Sequence, residues 1–147
     1  MIGPGPGPAR TLHVPGAYIL LIRLGRARTL RIGRLGRVPF RRGNYVYIGS
    51  GMGGLGQRVA RHFRPDKKVK WHVDRLLAGA NLVGAVLFPS TERKECELAR
   101  SCLSFSGAMV VRGFGSSDCR CPGHLVFLGA LPFGKLLKDL ERGGWPF

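Results

Sequence analysis

The sequence predicts a single α+β domain in which a small antiparallel or mixed sheet of three or more strands is flanked by helices. The chain has 147 residues, enough to bury one core, and 44% of them are apolar, as in ordinary globular domains. Short β-rich runs alternate with amphipathic helical patterns along the chain. No segment approaches the ~20 consecutive apolar residues that a membrane-spanning helix needs.

Residues 1–13 are predicted to form a disordered tail, and residues 14–147 the domain. The opening "MIGPGPGPAR" alternates glycine with proline and lacks the apolar core of a signal peptide. We therefore expect a cytoplasmic protein, in which the four cysteines are reduced unless the source is a hyperthermophile.

The first half of the domain carries the clearest strand signals. The run "GAYILLIRL" at Gly16–Leu24 is apolar on both faces, which is typical of a central strand. "TLRIG" at 29–33 alternates apolar and charged residues, whereas residues 33–43 contain four Gly or Pro and are predicted to be a loop. "NYVYIG" at 44–49 is the next predicted strand, and its alternation places both tyrosines on one face.

Helices and buried strands alternate in the rest of the chain. A helix at 55–64 stops before Pro65, and a helix at 91–104 takes Ser90 or Thr91 as its N-cap. The other predicted elements are helices at 70–80 and 133–142 and strands at 82–88 and 123–129.

The charge distribution restricts the partner class. Twenty-four Lys and Arg face eight Asp and Glu, for a formal net charge of +16, and twelve arginines precede the first acidic residue, Asp66. This field favours nucleic acid or an anionic membrane surface as partner, and a solvated basic surface that reflects compositional bias is the alternative. The candidate nucleic-acid contacts are Arg23, Arg31, Arg34, Arg37, Arg41, Arg42, Arg61, Lys67 and Lys68.

The first predicted helix carries a candidate phosphate site. Arg58 and His62 lie four residues apart and flank its apolar stripe, whereas Arg61 projects to solvent. Gly53 and Gly54 at its N-terminus offer backbone N–H groups to an anion that Arg58 would clamp. A surface arginine and a half-buried histidine on a packing helix would give the same pattern.

The helix predicted at 91–104 turns a carboxylate inward. Glu95 projects within the apolar stripe that Leu98 and Cys102 mark, whereas Glu97 projects outward. An inward carboxylate needs a cation, a metal or hydrogen-bond donors. A salt bridge to an arginine would satisfy it, and so would a hard divalent ion of the kind used in phosphoryl transfer.

Two short motifs connect these residues to a known family. "GAY" at Gly16–Tyr18 and "YIGSGMGGLGQRVARH" at Tyr47–His62 together resemble the GIY-YIG nuclease domain. More closely, the chain is similar to an uncharacterised branch of that superfamily, domain of unknown function 123, and the resemblance covers nearly everything from Gly16 to Leu128. The runs that carry this closer similarity are "GLGQRVARH" at 54–62, "KWHVD" at 70–74, "EC" at 95–96 and "FGSSDCRC" at 114–121.

The resemblance implies a GIY-YIG-like sheet and a divalent-metal-dependent endonuclease. Tyr18 or Tyr47 would activate or position the attacking water, and a nearby arginine or metal-bound water would lower the phenol pKa from ~10. Arg58 would stabilise the phosphate, with His62 beside it. Glu95 would bind one Mg²⁺ or Mn²⁺.

The chain departs from the family pattern in two places. Residues 25–43 separate the two tyrosine motifs more widely than in compact GIY-YIG enzymes. Many family nucleases also carry a late asparagine, for which neither Asn44 nor Asn81 is an evident counterpart.

Two further groups of polar residues are candidates. Cys119, Cys121 and His124 have zinc-ligand chemistry, and Cys96 or Cys102 would complete a set of four. Because the spacing is not a familiar zinc-ribbon pair, inert thiols or a disulfide are the alternatives. The "KWHVD" run adds candidate cleft residues on the strength of the resemblance, with pairing to arginines as the alternative: His72 and Asp74.

The sequence therefore predicts a nucleic-acid-binding protein, with DNA favoured over RNA, that hydrolyses phosphodiester bonds with Mg²⁺ or Mn²⁺. One alternative is a basic binding module without turnover. Another is a docking domain of a repair or RNA-processing complex. Salt-dependent binding would exclude the docking domain, and metal-dependent cleavage would distinguish the enzyme from the binding module.

Overall fold

In the computed structural model, which describes residues 2–3, 13–116 and 119–146, the chain forms a six-stranded sheet, a separate two-stranded hairpin and four α-helices. The strands are β1 (Ile2–Gly3), β2 (Gly16–Leu24), β3 (Arg28–Arg31), β4 (Arg37–Phe40), β5 (Gly43–Ser50), β6 (Asn81–Pro89), β7 (Met109–Val110) and β8 (Leu125–Gly129). The helices are α1 (Leu55–Phe63), α2 (His72–Leu77), α3 (Glu95–Leu103) and α4 (Phe133–Arg142).

The main sheet has the order β1-β6-β2-β5-β8-β7, and all neighbouring strands are antiparallel. This arrangement confirms the predicted α+β class and the central position of Gly16–Leu24. Because β2 pairs with β5, Tyr18 lies opposite Gly49, and Tyr47 lies opposite Leu20. The pairing therefore brings the two tyrosine motifs onto adjacent strands.

The sheet is covered on both faces. In β2 the even-numbered residues from Tyr18 to Leu24 pack with α1, α2 and the hairpin, whereas the odd-numbered residues from Ala17 to Leu21 pack with α3 and α4. The period of two along a strand gives this division. An apolar residue at nearly every position of β2 is the sequence requirement of such a three-layer fold.

Residues 28–40 form a β-hairpin rather than a strand followed by a loop. β3 pairs antiparallel with β4, and a 3-10 turn at Gly33–Leu35 joins them. The prediction of a loop over 33–43 is wrong for β4. Pro39 lacks an N–H group and is therefore compatible either with a loop or with an edge strand. β4 is an edge strand of the two-stranded hairpin. Ile32 and Phe40 are buried and anchor the hairpin in the first core layer.

Two helices are shorter than predicted. The helix predicted at 70–80 is reduced to α2, and α3 begins at Glu95 rather than near Thr91. The side chain of Ser90 does not cap α3. Its hydroxyl accepts a hydrogen bond from the backbone N–H of Glu92 at 3.1 Å and fixes a turn before the helix.

The predicted tail at residues 1–13 lies largely outside the described residues. Where it is described, Ile2 and Gly3 pair with Val86 and Ala85 of β6 and extend the sheet by a short edge strand. Among the described helices, none has both the length and the apolar character required to cross a membrane.

Candidate functional site

A cleft of about 640 Å³ opens where β2 begins and β5 ends. Four residues predicted to be catalytic line it together: Tyr18, Tyr47, Arg58 and Glu95. The other lining residues are Gly49, Ser50, Lys70, Trp71, His72, Arg93, Cys96, Gly115, Cys119 and His124. The fold therefore brings the two phenols, the guanidinium and the carboxylate into one cavity.

Tyr18 is held between a glycine and a histidine. Its ring lies so close to Gly49 that a Cβ atom there would overlap the ring and the hydroxyl group. The Tyr18 hydroxyl shares a hydrogen bond of 2.6 Å with Nε2 of His62. His62 is buried and is not among the residues that line the cleft, and it lies behind Tyr18.

The surroundings of both phenols favour the protonated form. Burial is the main cause: it raises the pKa of Tyr18 well above its ordinary value and the pKa of Tyr47 to about 12. Arg58 lowers both pKa values, but desolvation outweighs it, so Arg58 alone does not bring either pKa below its ordinary value. Both tyrosines are therefore hydrogen-bond donors at neutral pH in the substrate-free cleft.

His62 is neutral at physiological pH. Burial lowers its pKa to about 4, and the charges of Arg61 and Lys67 act in the same direction against the opposing effect of Asp74. Its Nδ1 atom is buried and has no hydrogen-bond partner among the described residues. The ring behind Tyr18 is thus an uncharged imidazole.

Arg58 is fixed by two contacts. Its guanidinium lies over the indole of Trp71, with 4.7 Å between Cζ and the ring centroid, and Nη1 donates to the carbonyl of Ser50 at 3.1 Å. A guanidinium has five N–H donors. Arg58 therefore keeps donors for a phosphate while its position is held by stacking.

Glu95 is the first residue of α3 and lines the cleft, and its side chain is 22% exposed. Its one ion pair among the described residues is a long contact of 3.9 Å to Arg93, whose side chain is 71% exposed. Such an exposed pair contributes little energy. The carboxylate therefore remains available to a ligand.

Asp74 lies outside the cleft lining, and Arg61 is paired rather than free in solvent. The Asp74 carboxylate accepts two hydrogen bonds from Arg61, at 3.0 and 3.1 Å, and two from the backbone N–H groups of Lys70 and Trp71. Burial acts to raise the pKa of Asp74, but these hydrogen bonds outweigh it and leave the pKa lowered. Asp74 thus ties α1 to the start of α2.

His72, the neighbouring candidate, does line the cleft. Its Nδ1 accepts a hydrogen bond from the backbone N–H of Gly115 at 3.2 Å. A Cβ atom on Gly33, at the hairpin tip, would lie 3.2 Å from Nε2 of His72. The hairpin therefore meets the wall of the cleft at His72.

Most of the predicted nucleic-acid contacts are exposed. Arg61 and Lys67 are the two exceptions. The Lys67 ammonium group donates to the carbonyls of His62 and Arg64 at the end of α1. The exposed members of the set are Arg23, Arg31, Arg34, Arg37, Arg41, Arg42 and Lys68.

The N-terminus of α1 does not supply the predicted anion site. The backbone N–H groups of Gly54 and Leu55 donate to the carbonyls of Gly51 and Val14, at 3.1 and 2.8 Å. Neither Gly53 nor Gly54 lines the cleft. Arg58, about one turn further along α1, is the residue of this helix that lines the cavity.

The Cys/His cluster is assembled from two segments, the start of α3 and the residues that lead into β8. Ligand atoms of Cys96, Cys119, Cys121 and His124 all lie within 4.8 Å of one another and could hold a metal ion. Cys102 lies on the buried face of α3, within the apolar core layer, and is not part of the group. The fourth member is therefore Cys96, a point that the sequence left open.

The sequence did not predict four residues of the cleft lining: two cationic side chains, one aromatic side chain and one glycine. Lys70 and Trp71 had a local signal, an aromatic residue beside a basic one in the "KWHVD" run. Arg93 had none. Gly115 has φ +71° and packs against the Tyr47 ring, so its role depends on a contact between distant segments.

The comparisons with known proteins give one match. The family model described as "Domain of unknown function DUF123" matches residues 17–140. No curated protein and no solved structure matches the chain. The matched range contains Tyr18, Tyr47, the other lining residues of the cleft and the Cys/His cluster, and the chain belongs to the family Domain of unknown function DUF123.

Proposed function

We propose that this protein is a cytoplasmic, GIY-YIG-like endonuclease that hydrolyses phosphodiester bonds, with DNA as the favoured substrate. The observation that carries the proposal is the convergence of Tyr18, Tyr47, Arg58 and Glu95 on one cleft. The +16 net charge and the exposed hairpin arginines beside that cleft support a polyanionic substrate.

Arg58 is assigned to the scissile phosphate. Stacking on Trp71 restricts the guanidinium to one orientation, so little side-chain entropy is lost when it binds an oxyanion. Lys70 and Arg93 add positive charge to the lining, against the single carboxylate of Glu95. This excess of cations favours binding of the anionic, non-bridging oxygens of a phosphodiester over binding of a neutral ligand.

The two phenols are assigned to proton handling and positioning. In the tautomer of His62 that is protonated at Nδ1, Nε2 accepts the Tyr18 hydroxyl proton. Tyr18 would then take a proton from the attacking water as its own proton passes to His62, which leaves a neutral phenol and an imidazolium. Tyr47 donates to an oxygen of the substrate.

Glu95 fits a divalent ion because a single carboxylate with open space is a common Mg²⁺ ligand set, completed by water and substrate oxygens. Bound there, Mg²⁺ or Mn²⁺ would supply Lewis-acid stabilisation of the phosphoryl oxygens.

A binding module without turnover is the second candidate, and the raised pKa values of Tyr18 and Tyr47 favour it. A neutral phenol is a weak base. A protein that only binds DNA would keep the salt dependence, with a log–log slope near −5 if about six phosphates are neutralised, but would not cleave.

Incubation of supercoiled plasmid and single-stranded DNA with Mg²⁺ or Mn²⁺ tests the proposal. We expect metal-dependent nicking by the wild type and a loss of roughly 100-fold or more in Arg58→Ala. Arg64→Ala, which removes an exposed arginine at the end of the same helix, is the matched control and should cleave normally. Salt-dependent binding without cleavage under any of these conditions would establish the binding module instead.

A further inference from the structure

The Cys/His cluster is a second group of chemically active side chains beside the cleft. Nε2 of His124 lies 3.4 Å from Sγ of Cys119 and 3.8 Å from Sγ of Cys96. With Cys121 the four ligand atoms are all within 4.8 Å of one another. The proposed cleavage mechanism uses none of these four residues.

We infer that Cys96, Cys119, Cys121 and His124 bind one structural Zn²⁺ ion. A tetrahedral site with Zn–S near 2.3 Å and Zn–N near 2.1 Å places neighbouring ligand atoms about 3.5–3.8 Å apart. The observed separations are close to these values, so small side-chain rotations would complete the site. Three thiols and one imidazole are a standard structural zinc set.

The arrangement of the cluster argues against its being a disulfide or a group of inert thiols. A disulfide joins two of the three thiols and leaves the third thiol and the imidazole without a role. His124 is also fixed in place, because its N–H donates to the carbonyl of Phe114 at 2.7 Å and its carbonyl accepts from Ile48 at 2.9 Å. The backbone of His124 is thus held on both sides, and its ring nitrogen Nε2 faces two sulfurs, as a metal ligand would.

The position of the cluster assigns the zinc a structural task. Cys96 lies in the first turn of α3, directly after Glu95, whereas the other three ligands belong to the segment that leads into β8. Cys96, Cys119 and His124 also line the cleft. A zinc ion would therefore join the helix that carries Glu95 to the segment that leads into β8.

This zinc is distinct from the divalent ion assigned to Glu95. Four protein ligands fill a tetrahedral shell and leave no position for water, which is the property of a structural site. Thiolates select a soft metal, whereas a carboxylate suits Mg²⁺ or Mn²⁺. The inference goes beyond the proposed cleavage activity and does not depend on it.

Metal analysis of the full chain, purified without chelator, tests the inference. We expect one equivalent of zinc in the wild type and, after exchange, the visible absorption bands of thiolate-bound tetrahedral Co²⁺. Cys121→Ser should lose stoichiometric zinc, and it is the informative variant because Cys121 does not line the cleft. Cys102→Ala, which removes the cysteine outside the cluster, should keep its zinc.

Glu95→Gln separates this inference from the proposed function, because it should abolish cleavage and retain zinc. Removal of zinc should lower the melting temperature of the wild type and leave that of Cys121→Ser unchanged. If Cys121→Ser should fold poorly, zinc-competition titration of wild type and Cys102→Ala still decides the question. Wild-type protein that takes up no zinc when reduced, or a disulfide among these cysteines found by mass spectrometry, would overturn the inference.

Discussion

The glycine of the "YIG" motif has a packing role that the sequence alone did not show. The sequence predicts an anion contact only at Gly53 and Gly54 of the same run. Gly49 instead makes room for the ring of Tyr18 on the adjacent strand. The motif therefore marks Gly49 as important, but its contact with Tyr18 depends on the register of β2 against β5.

Gly49→Ala should destabilise the protein by about 1–3 kcal/mol, because the added methyl group overpacks a buried ring. It should also displace the Tyr18 hydroxyl from His62 and slow any cleavage. Urea denaturation measures the stability change. Gly53→Ala is the control, since a Cβ atom there meets no atom within 4 Å; equal stability of the two variants would contradict the packing role.

His62 should make stability pH-dependent below neutrality. Its pKa is about 4 in the folded protein and ~6.5 when unfolded, so the unfolded chain binds the proton first as the pH falls through this window. The free energy of unfolding should therefore decrease by about 3 kcal/mol between pH 6.5 and pH 4.

His62→Gln isolates this contribution, because every other titratable group is kept. Urea denaturation of both proteins at pH 7 and pH 4.5 should show a smaller loss in the variant. A loss of the same size in both would mean that His62 is not the group that titrates.

At the scale of single elements, the strongest patterns were predictable and the weakest were not. The strand Gly16–Leu24 and the helix Phe133–Arg142 are found at their predicted bounds, because an uninterrupted apolar run and a long amphipathic pattern are strong local signals. β7 has two residues, too few for any periodicity. The helical projection of α1 predicted that Arg61 points to solvent. In the structure Arg61 forms an ion pair with Asp74 of α2, a contact between elements that the projection does not include.

The hairpin concentrates charge at a cost to its own stability. Arg31 of β3 lies directly opposite Arg37 of β4. Like charges at facing positions of an antiparallel pair are destabilising. An anionic partner would relieve this repulsion, which is the behaviour expected of a nucleic-acid contact.

Arg37→Thr should raise the free energy of unfolding by roughly 0.2–1 kcal/mol and weaken DNA binding at the same time. The salt slope of binding should become shallower by about 1 if Arg37 contacts a phosphate. Thermal denaturation and a salt titration of DNA affinity measure the two effects. Lys138→Gln on α4 is the control; a slope unchanged in Arg37→Thr as well would remove the hairpin from the interface.

At the scale of the whole molecule, the fold places the basic hairpin and the cleft next to each other. The hairpin and α1 cover the same face of the sheet, and its tip meets His72 at the cleft wall. The sequence predicted each group of residues, and the family resemblance predicted that the catalytic candidates would converge. No spacing argument could have placed Arg93 or the hairpin tip there, because both positions depend on contacts between distant segments.

Single-turnover cleavage of DNA by Glu95→Gln, with binding measured in parallel, tests the central claim most directly. The account predicts a rate at least ~100-fold below wild type, about 2.7 kcal/mol of transition-state stabilisation, with DNA affinity retained. Glu97→Gln, an exposed carboxylate on the same helix, should cleave at the wild-type rate. Cleavage by Glu95→Gln as fast as by the wild type would contradict the assignment of the cleft as the catalytic site.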